Sequence, residues 1–471
     1  MTPYNPLSAR LQPRASSPSL LLLPCFVIVA ACSSDSADPL PSDVDAQGQD
    51  TVDAEVTDAA SDDTSDLDIP PEDTDRPEVL PLPPNGPAPD FVPVATVGAH
   101  TVEVIDSRRV LPGPEVPSEA ATQNSNNNLD VIRHDGRVWL AWRTAPNHFA
   151  SADTVIHVIS STDEENWTFE ASFQLDTDLR EPRFLSFDGQ LSLYVAALGT
   201  SRLSFDPQGM YVTQRDAATG DWSALARSGP DGFIPWRTGQ LNERPVLIGY
   251  TGGENIYQFN LEPLQIHMLT TTDGRAWTGF DPQRPIVAEG GGSEAAFAVD
   301  GDDRLWAIIR NEAGDDSGWG SKLCSTAPGA YTDWNCTVDP RKFDSPLAFA
   351  HDGEVYIVAR RNLTETGNYD LGLRDLDPVE QVIRYQANYS QQPKRCAVWR
   401  VDRNEHRLRF MLDLPSNGDT CFPSVIALRT PGEYAIYDYT SDPEAELLNW
   451  NTGQEGPTYI YRHVLRFSPV E

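Results

Sequence analysis

The segments VWLAWR (138–143), LWAIIR (305–310) and VYIVAR (355–360) each run apolar into a terminal arginine, and LSLYVA (191–196), VLIGYT (246–251) and YAIYDY (434–439) repeat the same length and texture. Four of the six follow an Asp-Gly pair: Asp135-Gly136, Asp188-Gly189, Asp300-Gly301 and Asp352-Gly353. Such pairs accept the positive φ of a tight hairpin. A second strand-like stretch precedes each run: NNLDVI (127–132), EPRFLSF (181–187), IPWRTG (234–239), SEAAFAV (293–299), SPLAFA (345–350) and FPSVIAL (422–428). A strand–turn–strand unit recurring about every 50 residues builds blades rather than layers. Six repeats predict an all-β chain folded as a six-bladed β-propeller. Equivalent strand ends then approach one axis, which puts Arg143, Arg310, Arg360 and Tyr439 around a common mouth.

The N-terminal part lies outside this pattern. Arg10 and Arg14 precede an apolar run from Leu20 to Ala31 that is too short to span a bilayer and ends in small residues. The junction Val29-Ala30-Ala31-Cys32 resembles a bacterial lipobox, with cleavage before Cys32 and lipid on its sulfur; an ordinary signal peptide cut near Ala31 is the other reading. Ser33 and Ser34 follow, with no aspartate after Cys32, which by the sorting rule for such proteins favours the outer membrane. From Ser33 to Asp90 there are 17 acidic residues against the single basic Arg76, and no aromatic. That composition cannot bury enough surface to offset its ordering entropy, so it predicts an extended, self-repelling tether. The expected organisation is a signal peptide at 1–31, a disordered acidic linker at 32–92 and the propeller at 93–471.

The chain carries a net charge of −35 and no basic stripe, which argues against nucleic acid as a partner. After the signal no long apolar run follows, so contact with the membrane is expected through the lipid alone. Cys25 leaves with the signal; Cys324, Cys336, Cys396 and Cys421 remain, an even number suited to an oxidising compartment. Cys324 and Cys336 flank a turn and are expected to pair, leaving Cys396 with Cys421. Their spacings fit no zinc site, and neither a metal nor a cofactor is expected. A monomer is expected.

Two outer hairpins share a further pattern, Ser161-Thr162-Asp163 with Trp167 and Thr271-Thr272-Asp273 with Trp277. Thr219-Gly220-Asp221-Trp222 and Tyr331-Thr332-Asp333-Trp334 read as decayed copies. The aspartate bonds turn amides and the tryptophan packs beneath. This resembles the Asp-box of sialidase-type propellers. With Trp142-Arg143, Asp178-Leu179-Arg180-Glu181-Pro182, Trp236-Arg237, Ser293-Glu294-Ala295 and the 414–420 segment LPSNGDT, residues 124–467 resemble bacterial BNR-repeat, sialidase-like proteins.

The resemblance implies an arginine cluster for a substrate carboxylate, a tyrosine nucleophile with a glutamate to take its proton, and an aspartic acid over the glycosidic oxygen. Carried over residue by residue, Glu294 with Arg310 fits best, Asp153 in the loop after Arg143 is the candidate acid, and Arg143, Arg180, Arg237, Arg310 and Arg360 are candidate substrate contacts. The same arginines read equally as ion pairs between blades, and Asp153 as a solvated loop residue. The pattern departs at Asn127-Asn128-Leu129, where the family's first arginine motif is missing, and at Asp344-Ser345-Pro346. The family's nucleophile position falls on Phe422, with Tyr439 on the neighbouring strand as its substitute. His148 and His157 stand alone as loop or strand residues. These readings imply either an exo-glycosidase on acidic, sialoside-type glycans, anchored at the cell surface, or a catalytically inactive propeller that binds glycan or protein ligands. Mass spectrometry of the mature protein is expected to find a lipidated Cys32 in the membrane fraction, lost in Cys32→Ser; a different, unlipidated start overturns the anchor.

Overall fold

A computed structural model describes residues 98–202, 205–256 and 262–470. The expected signal peptide, the expected lipidation site Cys32 and the linker expected at 32–92 lie outside the described residues. Six four-position sheets stand around a ring. β1 (His100–Leu111) belongs to the last of them. Blade 1 is β2 (Ser125–His134), β3 (Arg137–Ala145), β4 (Val155–Ser161) and β5 (Thr168–Phe173). Blade 2 is β6 (Asp178–Phe187), β7 (Gln190–Leu198), β8 (Pro207–Arg215) and β9 (Ala226–Ser228). Blade 3 is β10 (Ile234–Leu241), β11 (Arg244–Thr251) and β12 (Leu264–Thr270), whose outer edge is shared by β13 (Thr278–Gly279) and β14 (Ile286–Gly290). Blade 4 is β15 (Gly292–Val299), β16 (Leu305–Asn311), β17 (Ser321–Ser325) and β18 (Asn335–Asp339). Blade 5 is β19 (Asp344–His351), β20 (Glu354–Asn362), β21 (Lys394–Asp402) and β22 (Arg407–Asp413). Blade 6 takes β23 (Ser424–Ala427), β24 (Glu433–Thr440) and β25 (Tyr459–Pro469) from the end of the chain, and β1 from its beginning. All twelve strands expected from the sequence are present, and the protein is a six-bladed β-propeller.

The second strands read as unbroken apolar runs because both of their faces are covered. In β3, Val138, Leu140 and Trp142 pack against Ile426, Ala435 and Tyr437 of blade 6. The alternate residues Trp139 and Ala141 pack against Leu179, Phe184, Leu191 and Leu193 of blade 2. The period of two sends alternate side chains to opposite neighbours. Four further clusters of this kind fill the remaining gaps between blades, and a fifth, outside the sheets, packs Tyr369, Tyr385 and Tyr389 with Trp319. Truncating a fully buried member such as Leu140 removes contacts on the order of 2–5 kcal/mol.

Three Asp-Gly pairs make the tight turn expected of them, with φ of 48° and 72° at Asp135-Gly136, 49° and 73° at Asp188-Gly189, and 48° and 76° at Asp352-Gly353. Asp300-Gly301 opens a longer turn, in which Asp303 takes φ 60°. In blade 3 Asn242 and Glu243 adopt 49° and 64° and do the same work with no glycine. The outer hairpins also close as expected: Asp163 accepts the amides of Glu165 and Asn166, and Asp273 those of Arg275 and Ala276.

Two disulfides join Cys324 to Cys336 across β17 and β18, and Cys396 on β21 to Cys421 just before β23. The second ties blade 5 to blade 6. Peptide mapping without reductant is expected to recover these two pairs; free thiols, or Cys324 joined to Cys396, overturn them. Loss of the Cys396–Cys421 bridge is expected to lower stability by about 3 kcal/mol.

Candidate functional site at the propeller mouth

Every inner strand carries one surplus residue near its start. Against their partners, Asn127/Leu129, Arg180/Arg183, Pro235/Arg237, Gly292/Ala295 and Asp344/Leu347 each bracket a register shift. In blade 6, Thr420 pairs with Thr440 while Ser424 pairs with Tyr437, which leaves the same surplus. A bulge re-aims the side chains at its crest. Asn128, Glu181 and Ser345 hold equivalent positions with φ of 44°, 55° and 48°. Asn128 Nδ2 donates to Glu181 Oε1 at 3.0 Å, joining blades 1 and 2, and the Ser345 amide donates to Glu294 Oε2 at 2.8 Å, joining blades 5 and 4.

Beside this ring an aromatic plug crosses the axis. Trp236 of blade 3 meets Phe422 of blade 6 edge to face, with centroids 5.1 Å apart, and its Nε1 donates to Pro346 O of blade 5 at 3.3 Å. The Arg183 guanidinium lies 4.3 Å from the Phe422 centroid and 5.0 Å from that of Trp236. Phe422 therefore serves as packing, and its position offers no nucleophile.

The mouth wall is built from the loops between second and third strands, two of which carry α-helices among the described residues. In α1 (Pro378–Gln391), Asp377 caps the Val379 amide and a proline opens the first turn. In α2 (Trp450–Glu455), Asn449 caps Thr452. Tyr389 of α1 and Trp450 of α2 meet with centroids 5.5 Å apart, and each reaches down to a buried carboxylate: Tyr389 Oη donates to Asp344 at 2.6 Å and Trp450 Nε1 to Asp419 at 3.1 Å.

Two charge clusters result. In the first, Arg310 lies 2.8 Å from Glu294, 3.5 Å from Glu312 and 4.0 Å from Asp344, and donates to Ser293 Oγ. Lys342 joins Glu312 at 2.5 Å and Asp344 at 3.6 Å. Burial pushes Glu294 up to about 7 despite Arg310, with Asp344 and Glu181 adding like charge. Burial alone would raise Asp344 too, but Lys342, Arg360 and Arg310 hold it down to about 2. In the second cluster Asp419 is the hub. His148 Nδ1 lies 2.7 Å from Oδ2, and Tyr439 Oη donates to Oδ1 at 2.9 Å. Burial would raise Asp419, yet His148 beside it keeps it below the usual carboxylate range. Burial, then Asp419, lift the Tyr439 phenol well above its ordinary value, which keeps the proton on oxygen.

The expected site residues separate into two groups. Arg180 and Arg310 reach the mouth, their side chains 12 % exposed and that of His148 19 %, while Glu294 lies just beneath Arg310 with its side chain 9 % exposed. Arg180 donates to His148 O at 3.2 Å, linking the second cluster to blade 2. Arg143, Arg237, Arg360 and Tyr439 do not reach it. Arg143 is 0 % exposed, 3.0 Å from Asp178 of blade 2, and donates also to Asn127 Oδ1 and Phe149 O; burial lowers it to about 10. Arg360 is buried on Asp344 and donates to Thr420 O of blade 6 at 2.5 Å. Arg237 is buried beside the plug, with its Nε on Pro346 O. Asp153 is exposed on the β3–β4 loop and makes no hydrogen bond or ion pair with Glu294, Arg310 or Tyr439. Six residues of the site were not singled out from the sequence as site residues: Glu181, His148, Asp419, Glu312, Lys342 and Asp344. His148 looked isolated because its partner lies 271 residues away. Cys396, Cys421 and Asp438 gather closely enough to suggest a metal, but their sulfurs are spent on the disulfide.

No protein-family model matches the chain, and no curated protein matches it. Among solved structures, a protein of unknown function from Dyadobacter fermentans is 13 % identical with a TM-score of 0.53, over 78 % of this chain and 99 % of that one. A Trypanosoma rangeli sialidase mutant with trans-sialidase activity gives 12 % and 0.45 over 73 % of this chain; the chain spans about half (54 %) of its length. The α-L-arabinanase of Penicillium chrysogenum gives 9 % and 0.44, over 79 % and 98 %. At 13 % identity the likeness to the Dyadobacter fermentans protein bears on the fold alone.

Asp178 holds Arg143 and Arg180 together, so Asp178→Ala is expected to cost about 3–5 kcal/mol by leaving a buried guanidinium unpaired. Asp153→Ala, at an exposed position, is expected to stay within about 0.5 kcal/mol. Urea denaturation of both variants checks this; equal effects would remove the blade-to-blade role of Asp178.

Proposed function

We propose that the protein is a surface-anchored glycosidase that removes terminal acidic sugars from glycans, with its ligand at the propeller mouth. One observation carries this reading: Glu294, raised to about 7, stands 2.8 Å from a part-exposed Arg310. A carboxylic acid that still holds its proton near neutrality can protonate a leaving oxygen, and a guanidinium beside it can take a sugar carboxylate in a bidentate grip. Arg180 of blade 2 supplies a second part-exposed cation. The His148–Asp419 pair offers a base whose Nδ1 is fixed by a carboxylate. The fold is one that sialidases and arabinanases also use, which is compatible with glycoside hydrolysis. The anchor rests on the Cys32 motif, and the acidic segment behind it would carry the propeller away from the membrane.

A second reading is binding without turnover, of a glycan or protein ligand. It draws on Phe422, packed on Trp236 where the resemblance calls for a tyrosine, and on the depth of Tyr439, which is 1 % exposed.

Fluorogenic sialosides and uronides separate the two readings. Hydrolysis is expected, with Glu294→Gln lowering kcat about a hundredfold to ten-thousandfold while the protein stays folded. As the acid, Glu294 works below its pKa, so kcat is expected to fall as pH rises through about 7. Arg310→Ala is expected to weaken binding. Binding without cleavage selects the second reading. If neither occurs and Arg310→Ala lowers only thermal stability, both sugar readings fall.

A further inference from the structure

Near the axis several buried polar atoms have no hydrogen-bond partner among the described residues: Nε and Nη2 of Arg183, Nη2 of Arg237, Oδ1 of Asn128 and Oε2 of Glu181. Arg183 is 1 % exposed and Arg237 6 %. Their guanidinium carbons lie 4.3 Å and 5.9 Å from the centroid of the same Phe422 ring, and 5.0 Å and 5.5 Å from that of Trp236. Two cations thus share one aromatic pair, with N–H groups left over.

The acids nearby have other partners or face Arg183, and among the described residues none contacts Arg237. Asp130 accepts from Ser424 Oγ and the Phe184 amide, both at 2.7 Å, and lies 3.9 Å from Arg183. Glu294 is held by Arg310 and the Ser345 amide. Glu181 is held by Asn128, and the 4.0 Å approach of its other oxygen is again to Arg183. Arg237 forms no ion pair with any of them; its Nε donates to Pro346 O at 2.9 Å. A guanidinium does not lose its proton in a protein. Burial, and then Arg183, press on Arg237 against its charge, while Asp130, Glu294 and Glu181 support it without touching it, so an anion in direct contact with its free N–H would favour the charged form.

We propose that a small monovalent anion of the chloride class binds on the propeller axis, held by the unpartnered N–H groups of Arg183 and Arg237 beside the Trp236–Phe422 pair. Water would meet the N–H groups but bring no charge into contact with Arg237, which no carboxylate among the described residues touches. An acidic sugar is too large for donors so little exposed, so this site is separate from the ligand of the mouth. A single charge costs less to strip of water in so buried a place than a divalent oxyanion does. The bound ion joins blades 2 and 3 at the point where the plug meets blade 6, and so stiffens the floor under Glu181 and Glu294.

The purified protein is to be melted in sodium chloride, in sodium bromide and in sodium gluconate at equal ionic strength. Chloride and bromide are expected to raise Tm saturably over gluconate, by about 3 °C at a hundredfold excess over Kd for a domain of this size. Arg237→Met is expected to abolish the difference between the salts. Equal Tm in all three salts, or a chloride effect retained in Arg237→Met, overturns the proposal. Should that variant fail to fold, crystals of the unaltered protein grown in bromide decide: an anomalous peak within hydrogen-bond reach of Arg183 and Arg237 supports the site, and no peak there overturns it. No sugar is involved, so this outcome is independent of the glycosidase reading.

Discussion

The pairing of β1 with β25 is the contact on which the rest of the molecule depends. It runs antiparallel from His100 opposite Pro469 to Leu111 opposite Ile460, joining the two ends of the described chain in one blade. An open row of blades would leave two apolar sheet faces in water and would have no axis. Closing it costs the entropy of a loop of more than 350 residues, but that cost grows only with the logarithm of length. What closure returns is the sixth inter-blade core, in which Trp142, Ile426, Tyr437 and Trp236 meet. Each second strand can then be apolar throughout, since neither of its faces sees solvent.

Closure also creates the problem that the mouth solves. Six inner strands converge, and backbone alone cannot fill the axis. The single surplus residue in each strand turns side chains inward, at a cost on the order of 1–2 kcal/mol for each non-glycine residue in the left-handed region. Three such residues, Asn128, Glu181 and Ser345, occupy matching positions. Strain repeated at symmetric places and spent on polar contacts points to a site rather than to imperfect packing.

The fold was legible because its information is local. Apolar runs, Asp-Gly turns and their repetition need no partner to be recognised, and each marks its own strand. Asn242-Glu243 escaped because it takes positive φ without glycine, and β1 because nothing local says that it completes a sheet begun hundreds of residues later. The site was half legible for the same reason. Arginines at equivalent strand ends stood out, but what each does depends on a carboxylate from another strand. Asp178 takes Arg143 out of reach of any ligand, Asp344 does the same for Arg360, and Glu294 leaves Arg310 part-exposed. The bulges, which decide what faces the axis, have no signature in composition.

Those pairings also explain why so many charges are buried in one place. A cation at the end of a second strand is answered by an acid of its own or the next inner strand, so each pair fastens strand to strand or blade to blade. A pair of this kind is weak as a source of net stability but costly to break, because the survivor is left charged in a dry interior. It therefore fixes the angle between blades more than it strengthens them. Near the mouth rim the same lattice meets solvent, and there the proposed chemistry would sit. Glu294 is raised by the burial that the lattice imposes, and His148 is oriented by an acid that also anchors Tyr439 and Trp450. The part-exposed ends at the mouth are thus the outermost members of a structural array, and their reactivity is set by how far down it they sit.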